Sequence, residues 1–302
     1  MKIKKILVPV DFSKLSTKAL EIAEKMAGLF DSRITPVHVH IPITEMDEPY
    51  ALGMSSSVYQ DLDKIEKNLT DRLEEISREH VDESLLNDPI IAFGNPAQSI
   101  TDLSEEYDLL VMTSHGRTGF SRFLLGSVAE KVLRLSSCPV LVVEEESEIG
   151  DLERILVTTD FSENSAIAFP LTVEISRRAG SKIHLLHILS YEQFKKGETD
   201  MSIEDLRKER LKLVANKYFQ DVKNNISWSV APSEESPHEA ILNHVKENSY
   251  QLIIMATVGR TGIKHLMMGS TTTNVVRHVK TAVLSINPRK VKASETDDEI
   301  DD

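Results

Sequence analysis

"SHGRTGFSRFLLGS" occupies residues 114–127, directly behind the apolar run "DLLVMT" (108–113), and "TVGRTGIKHLMMGS" occupies 257–270 behind "QLIIMA" (251–256). Each copy is a tight glycine turn, nine further residues, then Gly-Ser opening a helix-like stretch. Two copies behind two strand-like runs point to one fold repeated. Working outward, "ILVPVDFS" (6–13) matches "ILVTTDFS" (155–162), an offset of 149 residues from Asp11 to Asp160 that also carries His38 onto His187. At the glycine phrase the offset is 143, from Gly116 to Gly259, and "PVLVV" (139–143) falls on "AVLSI" (282–286). The halves are colinear, the second about six residues shorter in its middle. This is a tandem duplication.

Within the first half, short β-branched runs alternate with amphipathic stretches. Strands are predicted at "KKILVPV", "RITPVHVHI", "PIIAF", "DLLVMT" and "PVLVV", and helices at 13–30, 58–80, 95–107 and 126–136. Pro96 belongs in a first helical turn, where its missing N–H costs nothing. The second half repeats the pattern, with helices predicted over 163–179, 201–222, 236–248 and 269–279. Continuous apolar strands imply a parallel sheet covered on both faces. The reading is therefore α/β, with domains at 1–146 and 152–288, an acidic linker "EEESEIGDLE" (144–153), and an acidic disordered tail at 289–302. The loop 42–57 is the stretch expected to be mobile. The fifth strands are apolar edges that need cover, which pairing with each other would supply.

Composition narrows the function classes. The 302-residue chain is 40% hydrophobic and 27% charged, as globular proteins are, and its net charge of −13 argues against a nucleic-acid partner. No apolar run is long enough to span a bilayer, and Pro9 and Asp11 interrupt the N-terminal one, so a cytoplasmic location is expected. The single cysteine, Cys138, excludes an internal disulfide and a multi-cysteine metal site.

In an open parallel sheet, ligands sit beyond the C-terminal strand ends where the winding reverses. Asp11 and Asp160 end the first strands of the two halves, and the glycine phrases leave the fourth. Gly116 and Gly119, like Gly259 and Gly262, let backbone N–H groups approach a phosphate. Gly126-Ser127 and Gly269-Ser270 open helices whose N-terminal N–H groups favour an anion, and Ser127 can cap its helix or donate to phosphate. Asp11 suits an adenine amine or a ribose hydroxyl. A bland alternative is that the glycines merely make a turn and a helix start.

These motifs resemble the universal stress protein family over residues 3–287. That family's nucleotide-binding branch carries Gly, two residues, Gly, nine residues, Gly, then Ser or Thr. Here the second glycine, the spacing and the Gly-Ser are kept in both halves, while the small residues Thr113 and Ala256 replace the first glycine. "VPVDFS", "VTTDFS" and "GNPAQSI" fit as well. The resemblance implies a five-stranded parallel sheet of order 3-2-1-4-5 in each half, doubly wound. It implies adenine near Pro9, Val10, Asp11 and Val39, and near Thr158, Thr159, Asp160 and Ile188. Thr113, His115, Arg117 and Val128 complete the first site; Ala256, Arg260 and Thr271 complete the second. The implied ligand is ATP, ADP or AMP, with or without Mg²⁺ or Mn²⁺. The implied assembly is an intramolecular pseudo-dimer that can form a homodimer of chains, and a protein partner downstream is unidentified.

Other candidates read more plainly. His38, His40, His184 and His187 are expected to be core or helix-facing rather than metal ligands. Arg117 and Arg260 could pair with phosphate or lie in solvent. Trp228 and Cys138 are expected to serve packing. No acid/base pair, nucleophile elbow or Walker loop is visible, so the expected function is a nucleotide-dependent signalling or regulatory module without a catalytic residue or metal site of its own. A slow metal-dependent ATPase and a structural stress protein with an empty crevice are the alternatives. The first half is expected to bind ATP more tightly by about 1.5–3 kcal/mol, because Glu235 stands where Gly94 aligns and Val258 replaces His115.

Overall fold

A computed structural model describes residues 2–41, 56–116, 125–190, 203–257 and 269–287, which part between Cys138 and Pro139 into two compact units. The first unit contains β1 (Lys5–Pro9), α1 (Lys14–Phe30), β2 (Arg33–His40), α2 (Ser56–His80), β3 (Ile90–Phe93), α3 (Pro96–Leu103), β4 (Leu109–Thr113) and α4 (Ser127–Leu135). Its strands run in the order β3-β2-β1-β4, all parallel. Ile6, Leu7, Val8 and residues 109–111 are fully buried, as strands covered on both faces must be. The Ser13 side chain accepts from the Ser16 N–H and starts α1, whose buried stripe of Ala19, Leu20, Ala23, Met26, Ala27 and Phe30 follows helical spacing. Asn95 caps α3 and Pro96 takes its first position, as expected.

The second unit begins with β5 (Val140–Val143). It continues with β6 (Arg154–Thr158), α5 (Glu163–Ala166), α6 (Ala168–Ala179), β7 (Lys182–Ser190), α7 (Ile203–Tyr218) and β8 (Ile226–Ser233). The chain then runs through α8 (Pro237–Glu247), β9 (Leu252–Ala256), α9 (Ser270–His278) and β10 (Ala282–Ile286). The sheet order is β5-β10-β9-β6-β7-β8, parallel except where β5 meets β10 antiparallel. Counting its own five strands, the second half winds 3-2-1-4-5. The last strand of the first repeat thus packs in the second unit, Leu141 opposite Leu284 and Val142 opposite Val283. Pairing covers the apolar edge of β10.

Several local expectations change. The helix expected over 163–179 breaks at Ile167, because Pro170 has no N–H to continue the first turns. Helices expected over 95–107 and 201–222 end in 3-10 turns at 104–106 and 220–222. The acidic linker holds two buried apolar side chains, Ile149 and Leu152, and the Ser147 hydroxyl within it donates to the Lys280 carbonyl. Trp228 is 38% exposed, so its expected packing role is not met. The tail 289–302 and loop residues 42–55 lie outside the described residues. Among the described residues, no helix is long and apolar enough to cross a membrane.

Candidate functional site

Both halves build the end of their first strand in the same way. The Val10 N–H donates to Val37 O and the Thr159 N–H to Leu186 O, which extends each strand one residue before the turn. Asp11 Oδ1 accepts from the Ser13 N–H at 3.0 Å and the Ser13 hydroxyl at 2.6 Å; Asp160 Oδ1 accepts from the same two groups of Ser162 at 2.9 and 2.6 Å. Between Asp and Ser lies a phenylalanine in the left-handed region, Phe12 at φ 61° and Phe161 at φ 64°. A buried histidine closes the turn from the second strand: His38 Nδ1 donates to Val10 O at 2.7 Å and His187 Nδ1 to Thr159 O at 2.8 Å. A carbonyl can only accept, so Nδ1 carries the proton in each. The histidine rings lie 4.3 and 4.2 Å from the Phe12 and Phe161 rings.

The glycine phrase is pinned at its neck. The Gly126 N–H donates to Ser114 O at 2.8 Å, and the Gly269 N–H donates to Thr257 O at 2.6 Å. Gly126 has an ordinary φ of −61°, yet a Cβ there would come 2.9 Å from the Ser114 carbonyl oxygen. Its lack of a side chain is required by close approach rather than by backbone angle. A Cβ at Gly116 would come 3.0 Å from Asp11 Oδ2. The first-strand carboxylate and the fourth-strand glycine therefore face one another, as the winding rule requires. Oδ1 is committed to the turn while Oδ2 is turned toward the loop.

The expected site residues separate by exposure. Pro9, Asp11 and Val39 are half-buried at the crevice, as are Thr158, Asp160 and Ile188. Val10 and Thr159 are buried behind it, and the Thr159 hydroxyl is spent on the Phe161 N–H and Ser165 Oγ. Thr113, at the first-glycine position, is also buried and donates its hydroxyl to His115 O. His115 is half-buried, and its Nδ1 is hydrogen-bonded to Ser114 Oγ. Gly126 and Gly269, not the serines, cap α4 and α9, which leaves Ser127 and Ser270 exposed as first helical residues beside half-buried Val128 and Thr271. The capping role open to Ser127 is thus withdrawn. Arg117, Gly119, Val258, Gly259, Arg260 and Gly262 lie outside the described residues, and Ala256 is half-buried at the end of β9.

Glu235 lies just beyond the C-terminal end of β8. Its Oε2 accepts from Asn243 Nδ2 at 2.8 Å and its N–H donates to Ser233 Oγ, which folds it onto the start of α8. What composition and motif reading missed are Phe12, Phe161 and the arginines over them, Arg72 at 4.3 Å and Arg210 at 4.6 Å. The repeated "DFS" was the available signal. Cys138 is buried and its thiol is pushed up to about 12 by burial, so it stays protonated. Among the described residues, no group of three potential ligands could hold a metal ion.

A doubly wound α/β unit with an acid and a glycine facing one another at its switch point places each half among the open parallel-sheet α/β folds. The chain belongs to the Universal stress protein family, whose profile matches residues 2–144 and 152–287. It is 32% identical to the universal stress protein MJ0577 of Methanocaldococcus jannaschii over 48% of this chain and 96% of that one. It is 25% identical to a universal stress protein of Mycolicibacterium smegmatis over 94% of this chain and 97% of that one. A solved universal stress protein from Archaeoglobus fulgidus matches 95% of this chain and all of its own with TM-score 0.70 and 22% identity, a likeness of fold.

Proposed function

We propose that each half binds an adenine nucleotide and that the protein acts as a nucleotide-dependent regulatory module of the stress response. The observation that carries this reading is Asp11, with Oδ1 fixed by Ser13 and Oδ2 turned to the glycine that leaves β4. A ribose hydroxyl or adenine amine has its acceptor there. The N–H groups opening α4, together with the exposed Ser127 hydroxyl, suit the phosphates. Pro9 and Val39 offer half-buried apolar surface for the base. Asp160, Ser270, Thr158 and Ile188 take these roles in the second half. Mg²⁺ or Mn²⁺ would come with the phosphates and complete its shell with water and phosphate oxygens. The reading is binding without turnover, with adenine nucleotide occupancy conveyed to a protein partner.

Mass spectrometry of small molecules released from denatured protein, beside titration calorimetry with ATP, tests this. Wild type is expected to bind two equivalents, Asp11→Ala and Asp160→Ala one each, and the double variant none. A double variant that titrates like wild type overturns the assignment. Phosphate release with Mg²⁺ or Mn²⁺ at enzymatic rates would replace binding with hydrolysis.

A further inference from the structure

Each Asp turn contains a residue in an unfavourable backbone region. A bulky phenylalanine at φ near +60° costs on the order of 1–3 kcal/mol and persists only where surroundings hold it. Glycine would occupy the position without that cost, yet both halves carry phenylalanine. In both, the ring lies tilted against a buried histidine, at 37° and 44°, and under an arginine guanidinium. His38, Phe12 and Arg72 form one tilted stack, with 4.3 Å from ring to ring and 4.3 Å from guanidinium to ring. His187, Phe161 and Arg210 form the other, at 4.2 and 4.6 Å, and Arg210 also donates to Phe161 O at 3.3 Å. The histidine bonds the carbonyl one residue before the aspartate, and the phenylalanine follows it. The aspartate backbone is thus held on both sides by one stack. The arginines come from α2 and α7, the helices between the second and third strands of each half.

We propose that these His–Phe–Arg stacks are the positioning devices of the two crevices: they hold the left-handed turn and thereby aim Asp11 Oδ2 and Asp160, and they link α2 and α7 to ligand occupancy. This rests on the nucleotide reading for what the aspartate grips, but not for how the turn is held. His38, Phe12 and Arg72 are positioning residues, since they act through Asp11.

The test uses the full chain with Asp160→Ala, so that only the first site remains. Arg72 is exposed, so Arg72→Met leaves the core intact. It is expected to weaken ATP binding about two- to fivefold, the worth of an exposed cation–π contact. Phe12→Gly removes the ring and relieves the backbone cost; positioning by the stack expects ATP binding to weaken about tenfold, whereas a merely structural role expects no loss. Hydrogen exchange in the ligand-free protein provides a readout independent of nucleotide. The Ser13 amide, bonded to Asp11 Oδ1, is expected to exchange about tenfold faster in Phe12→Gly while the amides of β1 keep their protection. Faster Ser13 exchange in a protein whose Asp160→Ala parent does not bind ATP upholds the stack and removes the nucleotide reading. Unchanged Ser13 exchange in Phe12→Gly overturns the stack, whatever the affinity for ATP.

Discussion

At the N-terminal end of the second half's strands, His184 on β7 stacks on His244 of α8 at 5.2 Å, His244 Nε2 bonds the Tyr250 hydroxyl at 3.0 Å, and Arg154 lies 4.9 Å over the Tyr250 ring. The first half has Thr35 at the place of His184, bonded to Asn87 Nδ2, and no histidine in α3. At the opposite, C-terminal ends of the strands the halves agree almost bond for bond: the Asp–Ser clasp, the left-handed phenylalanine, the histidine to the carbonyl, the glycine neck. Duplicated chains keep what a shared task constrains and diverge elsewhere. Here the constraint falls on the crevice end, which supports placing the function there.

The halves can be driven apart by four measurements. The largest effect is expected at the shared neck. Gly126→Val puts branched methyls against the Ser114 carbonyl oxygen, a backbone atom that cannot swing aside. A cost of about 2–3 kcal/mol is expected, read in calorimetry as a lowered first-unit transition, with ATP binding at the Asp160 site retained. Among the described residues Gly116→Ala meets the Asp11 carboxylate, so lost first-site affinity with little lost stability should distinguish the two glycines.

Acid should act on the second half through His184 and His244. Burial, then His244 and Arg154, lower the His184 imidazole to about 4, and burial chiefly lowers His244 as well, against Glu247. The folded state disfavours the protonated ring, so the stabilising contribution is complete above the unfolded value near 6.5 and is lost as pH falls from there toward 4. Because the ring is only partly buried, solvent screening reduces the expected loss to about 1–2 kcal/mol. Denaturant titrations at pH 7 and pH 4.5 should show it in wild type, and His184→Thr, which copies the first half, should flatten the difference.

Next comes the helix start. Thr272 is buried and its hydroxyl donates to Ala256 O at 2.8 Å, while Thr273 donates to Gly269 O at 3.1 Å. These hydroxyls are spent on the backbone. Thr272→Val should cost about 1 kcal/mol of second-unit stability, and a loss confined to ATP affinity would show the hydroxyl facing ligand instead. The smallest effect concerns ranking. Glu130 lies in the first turn of α4, whereas α9 has no acidic residue there. Glu130→Gln should tighten ATP at the first site by about 0.3–1 kcal/mol, seen in calorimetry as a shift of the first-site affinity with the Asp160 site unchanged.

Much of the crevice was legible because its cues are local. Pro96 in the first helical turn, and the Asp and glycine placed by winding, each follow from neighbouring residues or from one topological rule. The break at Ile167 is legible in Pro170, whose missing N–H outweighs a long helical period. The partners of the α9 threonines were not legible, because a polar side chain's role depends on which partner reaches it first.

By itself, then, the sequence determined the duplication, the α/β alternation, and the meeting of Asp11 with the glycine phrase, since repeats and periodicity are written in residue order. The pairing of the two fifth strands was expected from their apolar edges, but tertiary structure alone fixed its antiparallel register, Leu141 opposite Leu284, for register is set by contact and not by chain order. It also decided that Gly126 is required by the Ser114 carbonyl, and that Arg72, sixty residues along the chain from Phe12, lies over its ring. Those contacts join residues whose separation in the chain carries no periodic signal.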